Sequence, residues 1–378
     1  MRAVALIDGE HYAPVVRDAL RALEYDWVGA ILVGGTEKLR GDLDYGVPLV
    51  DDFEGAEVVV DLSDEPVLGP VERFRWASRA LAAGLPYVGA DFRFDPPVFE
   101  PFELPSLAVI GTGKRVGKTA VTAQLARELA RDREVVVVAM GRGGPAEPEV
   151  VESPPSIDEL VALSRAGRHA ASDHLEIAVV AGVPTIGCRR AGGGLAGAVF
   201  MSNVADGARL AAAREPDLVI FDGSGAAIPP VAVDRRVLVV GRGHDDDSYL
   251  NTYRRLISDV VIRIGEDAEL ALVPCAPLAG RVAVFTAGGT DVAHLDADVV
   301  HVSSSLANRE ALRRELAGLD VDTYLVELKA AAIDVVAEHA LTHGRQVVLA
   351  RNELVGIDLA TLVAGLRPEG AATGEGRA

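Results

Sequence analysis

The chain has 378 residues, a net charge of −19, 33 arginines against 4 lysines, and 2 cysteines. The length suffices for two or three folded domains, and the acidic balance argues against a general nucleic-acid binder. No apolar run is long enough to span a membrane, MRAVALIDGEHYAP has too short an apolar part for a signal peptide, and Cys188 and Cys275 stand in neither metal nor redox spacing, so a cytoplasmic protein is expected, with both cysteines as small buried hydrophobes.

Short β-rich runs alternate with helical patterns along the whole chain, which predicts an α/β fold with mainly parallel sheets. Residues 1–91 give AVALI, PVVRDALRAL, WVGAILV, EVVVDL, VERFRWASRALAAG and PYVGA, the pattern of a small Rossmann-like α/β segment. In such a sheet ligands gather beyond the carboxyl ends of the strands. Two of these ends run into Asp8-Gly9-Glu10-His11-Tyr12 and Gly34-Gly35-Thr36-Glu37-Lys38. His11 is a candidate to bind phosphate or move a proton near neutral pH. Lys38 is a candidate anion ligand. Residues 92–106, FRFDPPVFEPFELPS, carry four prolines and read as a linker.

Residues 107–278 read as a central P-loop NTPase domain. Leu107–Ile110 predicts a buried parallel strand, and the pattern from Val116 to Asp132 is helical, with Val121, Leu125 and Leu129 on one face. Between them lies GTGKRVGKT. It misses the G-x-x-x-x-G-K-[ST] register, because Thr112 stands where the first glycine belongs. The physics of an anion cradle survives: Gly111, Gly113 and Gly117 let backbone N–H groups approach a phosphate at a helix N-terminus. Gly111, Thr112, Gly113, Lys114, Arg115, Val116, Gly117, Lys118 and Thr119 are therefore the candidate nucleotide ligands, with Lys118 reaching the terminal phosphates and Thr119 ligating Mg²⁺.

Further strand ends follow. EVVVVAM leads into Gly141-Arg142-Gly143-Gly144-Pro145, where Arg142 is free to reach a phosphate. AASDHLEIAVVAG predicts an amphipathic helix capped at Ser172, with His174 structural. In GCRRAGGGLAGAVF, Arg189 and Arg190 precede a run of glycines, either a second anion cradle or a mobile loop. PDLVIF ends in Asp222-Gly223-Ser224-Gly225; an apolar strand ending in an acid holds Mg²⁺ in P-loop proteins. RVLVVG and VVIRI complete this domain. Residues 279–367 give RVAVFTA, DVVHVS, NREALRRELAG, TYLVEL, AAIDVVAEHAL and QVVLAR, a second smaller Rossmann-like segment, and the tail 368–378 is expected to be disordered. Lys329 lies at its TYLVELK strand–helix junction. With so few lysines, Lys38 and Lys329 are either site residues or ordinary surface lysines.

GTGKRVGKT resembles, position by position, the G-T-D-T-x-V-G-K-T loop of dethiobiotin synthetase, a member of the P-loop class that includes the MinD-type ATPases. In that class a second lysine inside the loop contacts phosphate, and the resemblance points to Lys114. A wider resemblance emerges from IDGEHY, GGTEKL, GTGKRVGKT, MGRGGP, GCRRAGGGLAG and GSGAAIPP, which occur in this order. Together, and on through ARNELV, they resemble the cyclic 2,3-diphosphoglycerate synthetase family. Where that family leads one to expect Glu, this chain has Asp222.

The resemblance implies an enzyme that uses ATP and Mg²⁺ to close 2,3-diphosphoglycerate into an intramolecular phosphoanhydride, releasing ADP and phosphate. It implies catalytic roles for Lys114, Lys118 and Asp222, metal ligation by Thr119 and Asp222, and His11, Lys38, Arg142, Arg189, Arg190 and Lys329 as ligands of the anionic acid. A homo-oligomer, a dimer, is expected, without nucleic-acid or membrane partners. Two rivals remain open at this point: a kinase that stops after phosphoryl transfer, and a MinD- or ParA-like ATPase switch. The arginine–glycine strand ends favour the enzyme, and PEGAATGEGRA is not a membrane-targeting amphipathic tail.

Overall fold

Val- and Ala-rich runs without polar alternation form strands buried on both faces, as parallel sheets require. The computed structural model describes every residue except 38, 40–42, 66, 359–360, 363 and 365–378. Lys38 and the tail 368–378 therefore lie outside the described residues. The chain packs as two units. The first comprises Met1–Val98, Gly194–Ala198 and Asp245–Ser258; the second comprises Phe99–Gly193, Val199–His244 and Asp259–Ala378.

The first unit runs β1 (Arg2–Ile7), α1 (Ala13–Ala22), β2 (Asp26–Leu32), β3 (Val58–Asp61), α2 (Pro70–Ala82), β4 (Tyr87–Val88) and β5 (Arg93–Phe94). Its sheet order is β2-β1-β3-β4-β5, parallel except for the last pair. Two small cores hold it together, one of Ala5, Ile7, Val16, Leu20 and Tyr45 under α1, the other of Ala3, Val58 and Val60.

The second unit carries two sheets. Along the chain come β6 (Ser106–Gly111), α3 (Lys118–Leu129), β7 (Val135–Gly141), β8 (Glu149–Val151), α4 (Ile157–Arg165), α5 (Asp173–Ala181), β9 (Thr185–Ala191), β10 (Met201–Ser202), α6 (Val204–Ala212), β11 (Leu218–Asp222) and β12 (Arg235–Val240). Next is α7 (Asn251–Leu256), which belongs to the first unit and packs there on α2. Then follow β13 (Val260–Arg263), β14 (Glu269–Pro274), β15 (Arg281–Phe285), β16 (Asp298–Ser303), α8 (Arg309–Ala317), β17 (Thr323–Glu327), a π-helical turn (Ala332–Ala337), α9 (Glu338–Thr342) and β18 (Gln346–Val355). The central sheet has the order β10-β9-β7-β11-β6-β12-β13, with β8 pairing β9; only β8 and β10 are antiparallel. The C-terminal sheet has the order β14-β18-β17-β15-β16, with β14 the antiparallel strand.

α3 starts at Lys118 because Gly117 before it adopts the left-handed conformation, with φ 97°. Its expected apolar face, Val121, Leu125 and Leu129, is buried, but so are Thr122, Ala123, Gln124 and Ala126. The helix has no solvent face, because it is covered by the central sheet on one side and by α5 and β18 on the others. α5 is likewise buried almost all round rather than amphipathic. Cys188 is buried as expected; Cys275 is exposed, which corrects the reading of both as core residues. No helix among the described residues is long and apolar enough to cross a membrane.

At the seam between α3 and β18 the Arg127–Glu353 ion pair at 2.8 Å is joined by a buried amide. Gln124 accepts from the Leu354 N–H at 2.6 Å and donates to the Leu354 carbonyl at 3.4 Å. Gln124→Leu keeps the volume and strands a buried N–H, which costs about 1–3 kcal/mol. The expected outcome is faster hydrogen exchange in the peptide containing Leu354, with exchange in β1–β3 unchanged.

Candidate active site

The phosphate loop follows the parallel strand β6, and its glycines have separate jobs. A Cβ at Gly111 would lie 2.8 Å from the Val116 side chain and 2.9 Å from that of Lys118, so only glycine lets the loop fold back over them. A Cβ at Gly113 would meet the His244 ring at 3.2 Å. Thr112, in the place of the usual glycine, is buried, and its N–H donates to the Val239 carbonyl at 3.1 Å. Arg115 sits at φ 63°, a left-handed conformation that costs a non-glycine residue about 1 kcal/mol. It stands exposed beside Lys114, which is also exposed, while Val116 is buried beneath them.

Lys118 is only 7% exposed, and its ammonium donates to the Gly113 carbonyl at 3.0 Å. Burial lowers its pKa, and Arg142 and Arg190 press in the same direction, while Asp222 and Asp173 oppose them. Asp222 ends β11, the strand beside β6, and is buried. It accepts a 2.6 Å hydrogen bond from Thr122, one turn into α3. Burial pushes its carboxyl up to about 7, with Asp173 adding to that, against Thr122 and Lys118. A carboxylate this elevated lacks a full counter-charge. Thr119 lines the same cleft, so a hydroxyl and a carboxylate are present as the hard oxygen donors that Mg²⁺ takes. These residues fit the metal.

The cleft over the loop has a volume of about 720 Å³, within the ordinary range for a small-molecule site. Asp173 enters it from the first turn of α5. Gly141, at the end of β7, leaves room for it, since a Cβ there would lie 3.1 Å from Asp173 Oδ2. Burial raises the Asp173 pKa against the pull of Lys118, Arg142, Lys329 and His169. The C-terminal sheet supplies the facing wall through the 286–291 loop after β15, Glu327 at the end of β17, and Lys329. The Lys329 ammonium lies 3.3 Å from Glu176 and 3.9 Å from Glu327.

Of the predicted ligands, Lys114, Arg115, Val116, Gly117, Lys118 and Thr119 of the loop line this one cleft, together with Arg142, Asp222 and Lys329. Arg190 is tied down at its edge, donating to the carbonyls of Gly192 at 2.6 Å and Ser224 at 2.7 Å. Burial lowers its pKa, with Arg142 adding to the effect. The Arg189 backbone N–H donates to Asn203, while its Nε is buried without a hydrogen-bond partner. His11 belongs to the first unit. There its Nδ1 lies 2.8 Å from Asp8 and its Nε2 3.4 Å from Asp64. His174 lies 3.1 Å from Ser172 Oγ, so that hydroxyl turns to the ring instead of capping the helix, and burial takes the ring down to about 4. It stays neutral.

Sequence reasoning missed Thr122, Asp173, Glu176, His244, Glu327 and the 286–291 loop. The strand-end rule would have found His244, just past β12, the loop past β15, and Glu327, the last residue of β17. Asp173 and Glu176 come from a helix start and carry no such signal.

Family profiles described as cyclic 2,3-diphosphoglycerate synthetase match in three parts: the N-terminal domain over residues 2–57 and 49–95, the P-loop domain over 106–272, and the C-terminal domain over 290–353. A curated cyclic 2,3-diphosphoglycerate synthetase of Rubrobacter xylanophilus is 46% identical over 96% of each chain. Another, of Pyrococcus abyssi, is 38% identical over 94% of this chain and 95% of its own. Among solved structures, "apo" form LpxK from Aquifex aeolicus in complex with ATP superposes with a TM-score of 0.44 at 13% identity, covering 71% of this chain and 89% of that one.

The elevated Asp222 carboxyl makes a prediction for the ligand-free protein. Its pKa rises on folding from the ordinary 3.8 to about 7, so the folded state holds a proton that the unfolded state releases. Its contribution to stability is present below the ordinary value and is lost as pH rises through about 7. The melting temperature without metal or nucleotide is expected to fall across that window, and Asp222→Asn to flatten the slope. Equal slopes in calorimetric scans of the two proteins would refute the assignment.

Proposed function

Because the chain belongs to the cyclic 2,3-diphosphoglycerate synthetase family, we propose that the cleft over the phosphate loop is where ATP drives closure of 2,3-diphosphoglycerate to its cyclic phosphoanhydride, with release of ADP and phosphate. The observation that carries this reading is the convergence on one cleft of a phosphate loop, a strand-end acid and cations from outside the loop.

In this reading the loop amides from Gly111 to Thr119 cradle the nucleotide phosphates at the start of α3. Lys118 and Lys114 neutralise charge at the γ-phosphate, Lys118 from a buried position where each interaction is stronger than in water. Thr119 and Asp222 would hold Mg²⁺, which would neutralise charge on the nucleotide phosphates. Arg142, Arg189, Arg190 and Lys329 hold the acid, which brings a carboxylate and two phosphates.

The reaction balances in two displacements. An oxygen of one substrate phosphate bonds to the γ-phosphorus as the bond to ADP breaks. An oxygen of the other substrate phosphate then bonds to the first substrate phosphate's own phosphorus, whose bond to the transferred γ-phosphate group breaks, so that group leaves as inorganic phosphate. The second step needs two anionic groups held about 3–3.5 Å apart against their repulsion. That demands fixed cations in a closed, water-poor site.

Two measurements test this. Lys118→Ala is expected to lower ATP turnover by on the order of a hundredfold or more, and near-wild-type turnover in the folded variant would sink the phosphate-loop assignment. Phosphorus NMR of a reaction with ATP, Mg²⁺ and 2,3-diphosphoglycerate should show both monoester signals disappearing together and coupled anhydride signals appearing, with one ADP and one phosphate per ring. A product that retains the γ-phosphate would make the protein a kinase, and phosphate release with the acid unchanged would make it an ATPase.

A further inference from the structure

Lys329 is the one lysine described outside the phosphate loop, and it is held in an unusual way. Its backbone sits at the end of β17, where Ala330 adopts φ 48° and the chain enters the π-helical turn Ala332–Ala337. A left-handed non-glycine residue costs about 1–2 kcal/mol and π turns are rare in proteins; both gather at functional sites. The Lys329 side chain is about a third exposed, 35%, and lines the cleft that Lys118 and Asp222 line.

Two carboxylates meet that ammonium, and their situations differ. Glu327, at 3.9 Å, is already engaged by the Ala287 N–H and the Asn352 side chain. Glu176, at 3.3 Å, is on α5, is 8% exposed, and has the Lys329 ammonium as its described side-chain partner. A buried carboxylate whose contact is a single cation gains nothing for the core, since an apolar side chain of similar volume would be at least as stabilising. Its consequence is positional. It fixes a long, flexible lysine side chain that would otherwise sample many rotamers.

We propose that Glu176 is a positioning residue that holds Lys329 over the phosphate loop, so that Lys329 is in place to take one phosphate of the acid substrate. The inference rests on the reading of this cleft as the cyclisation site and adds to it how one of its cations is placed. Burial works against the charge on Lys329, but Glu176, Glu327 and Asp173 outweigh it and raise the lysine's pKa. Burial drives the Glu176 carboxyl up to about 7, with Asp173 and Glu327 adding to that and Lys329 opposing it. When Lys329 turns to a phosphate, Glu176 is therefore able to take up a proton rather than remain an uncompensated charge.

The test uses the full chain and the variants Glu176→Gln, Lys329→Ala and the double variant. With no ligand present, acetic anhydride labelling of Lys329 is followed by mass spectrometry, which four lysines keep simple. Glu176→Gln should make Lys329 react faster, about tenfold for each pKa unit that the pair supplies. With 2,3-diphosphoglycerate, both single variants should raise KM for the acid while the affinity for an ATP analogue stays as in the wild type. The double variant should be no worse than Lys329→Ala alone, because Glu176 acts through Lys329. An unchanged labelling rate, or losses that multiply in the double variant, would overturn the proposal. If the wild type neither binds nor cyclises 2,3-diphosphoglycerate, the substrate reading fails, and the labelling ratio still decides whether Glu176 holds Lys329.

Discussion

An ammonium group has to stay charged while buried, and the site is organised around that constraint. Lys118 opens a helix with no solvent face, close under its own loop. Desolvation alone would strip its proton. Asp222 and Asp173 oppose this, and Arg142 and Arg190 add to the strain. Each of these charges is unfavourable alone and tolerable in the company of the others. The group is therefore poised for a ligand that brings both signs, a polyphosphate with its cation.

The fold makes this cluster possible by aligning strand ends. β7, β11 and β6 lie side by side and parallel, so Gly141, Asp222 and Gly111 reach the same edge of the sheet. α3 then passes beneath β18 and α5, and this lets the C-terminal sheet, whose strands β15, β17 and β18 are also parallel, present its own carboxyl ends to the cleft. Two rows of strand ends thus converge on one site. The Gln124 seam ties that arrangement together, since it joins a helix that begins in the phosphate loop to a strand of the C-terminal wall.

Period and punctuation made the α/β alternation, the phosphate loop and Asp222 legible in the sequence. Strands buried on both faces announce themselves as unbroken Val and Ala runs, and the glycines around Lys118 have no reading as cheap as an anion cradle. Thr122 was not legible, because a threonine one turn into a helix is ordinary until the neighbouring strand is known to end in Asp222. Asp173 and Glu176 were hidden for a similar reason: DHLEIAVV reads as an amphipathic surface helix, whereas α5 is buried on nearly all sides. Amphipathicity predicts which face is apolar, and it cannot say what packs on the polar face. Lys329 was found from the scarcity of lysine rather than from local pattern, and its carboxylate partners depend on tertiary contact alone.

The abundance of acids in a cleft read as the site for a polyanion follows from the same electrostatics. A ring of bare cations would attract phosphate strongly, but in the free protein those cations would repel one another and spread apart. Carboxylates keep them together. Asp173 lies within reach of Lys118, Arg142 and Lys329, and Glu176 and Glu327 hold Lys329. The substrate then competes with resident anions for cations that are already in place. Some affinity is surrendered, and in return the geometry of the cations exists before the ligand arrives. That exchange suits a cyclisation better than tight capture would, because preorganised charge lowers a barrier only where it favours the transition state over the bound ground state. A chain of net charge −19 can therefore assemble such a cluster without a basic surface, provided the cations of the cleft share acids that hold them together.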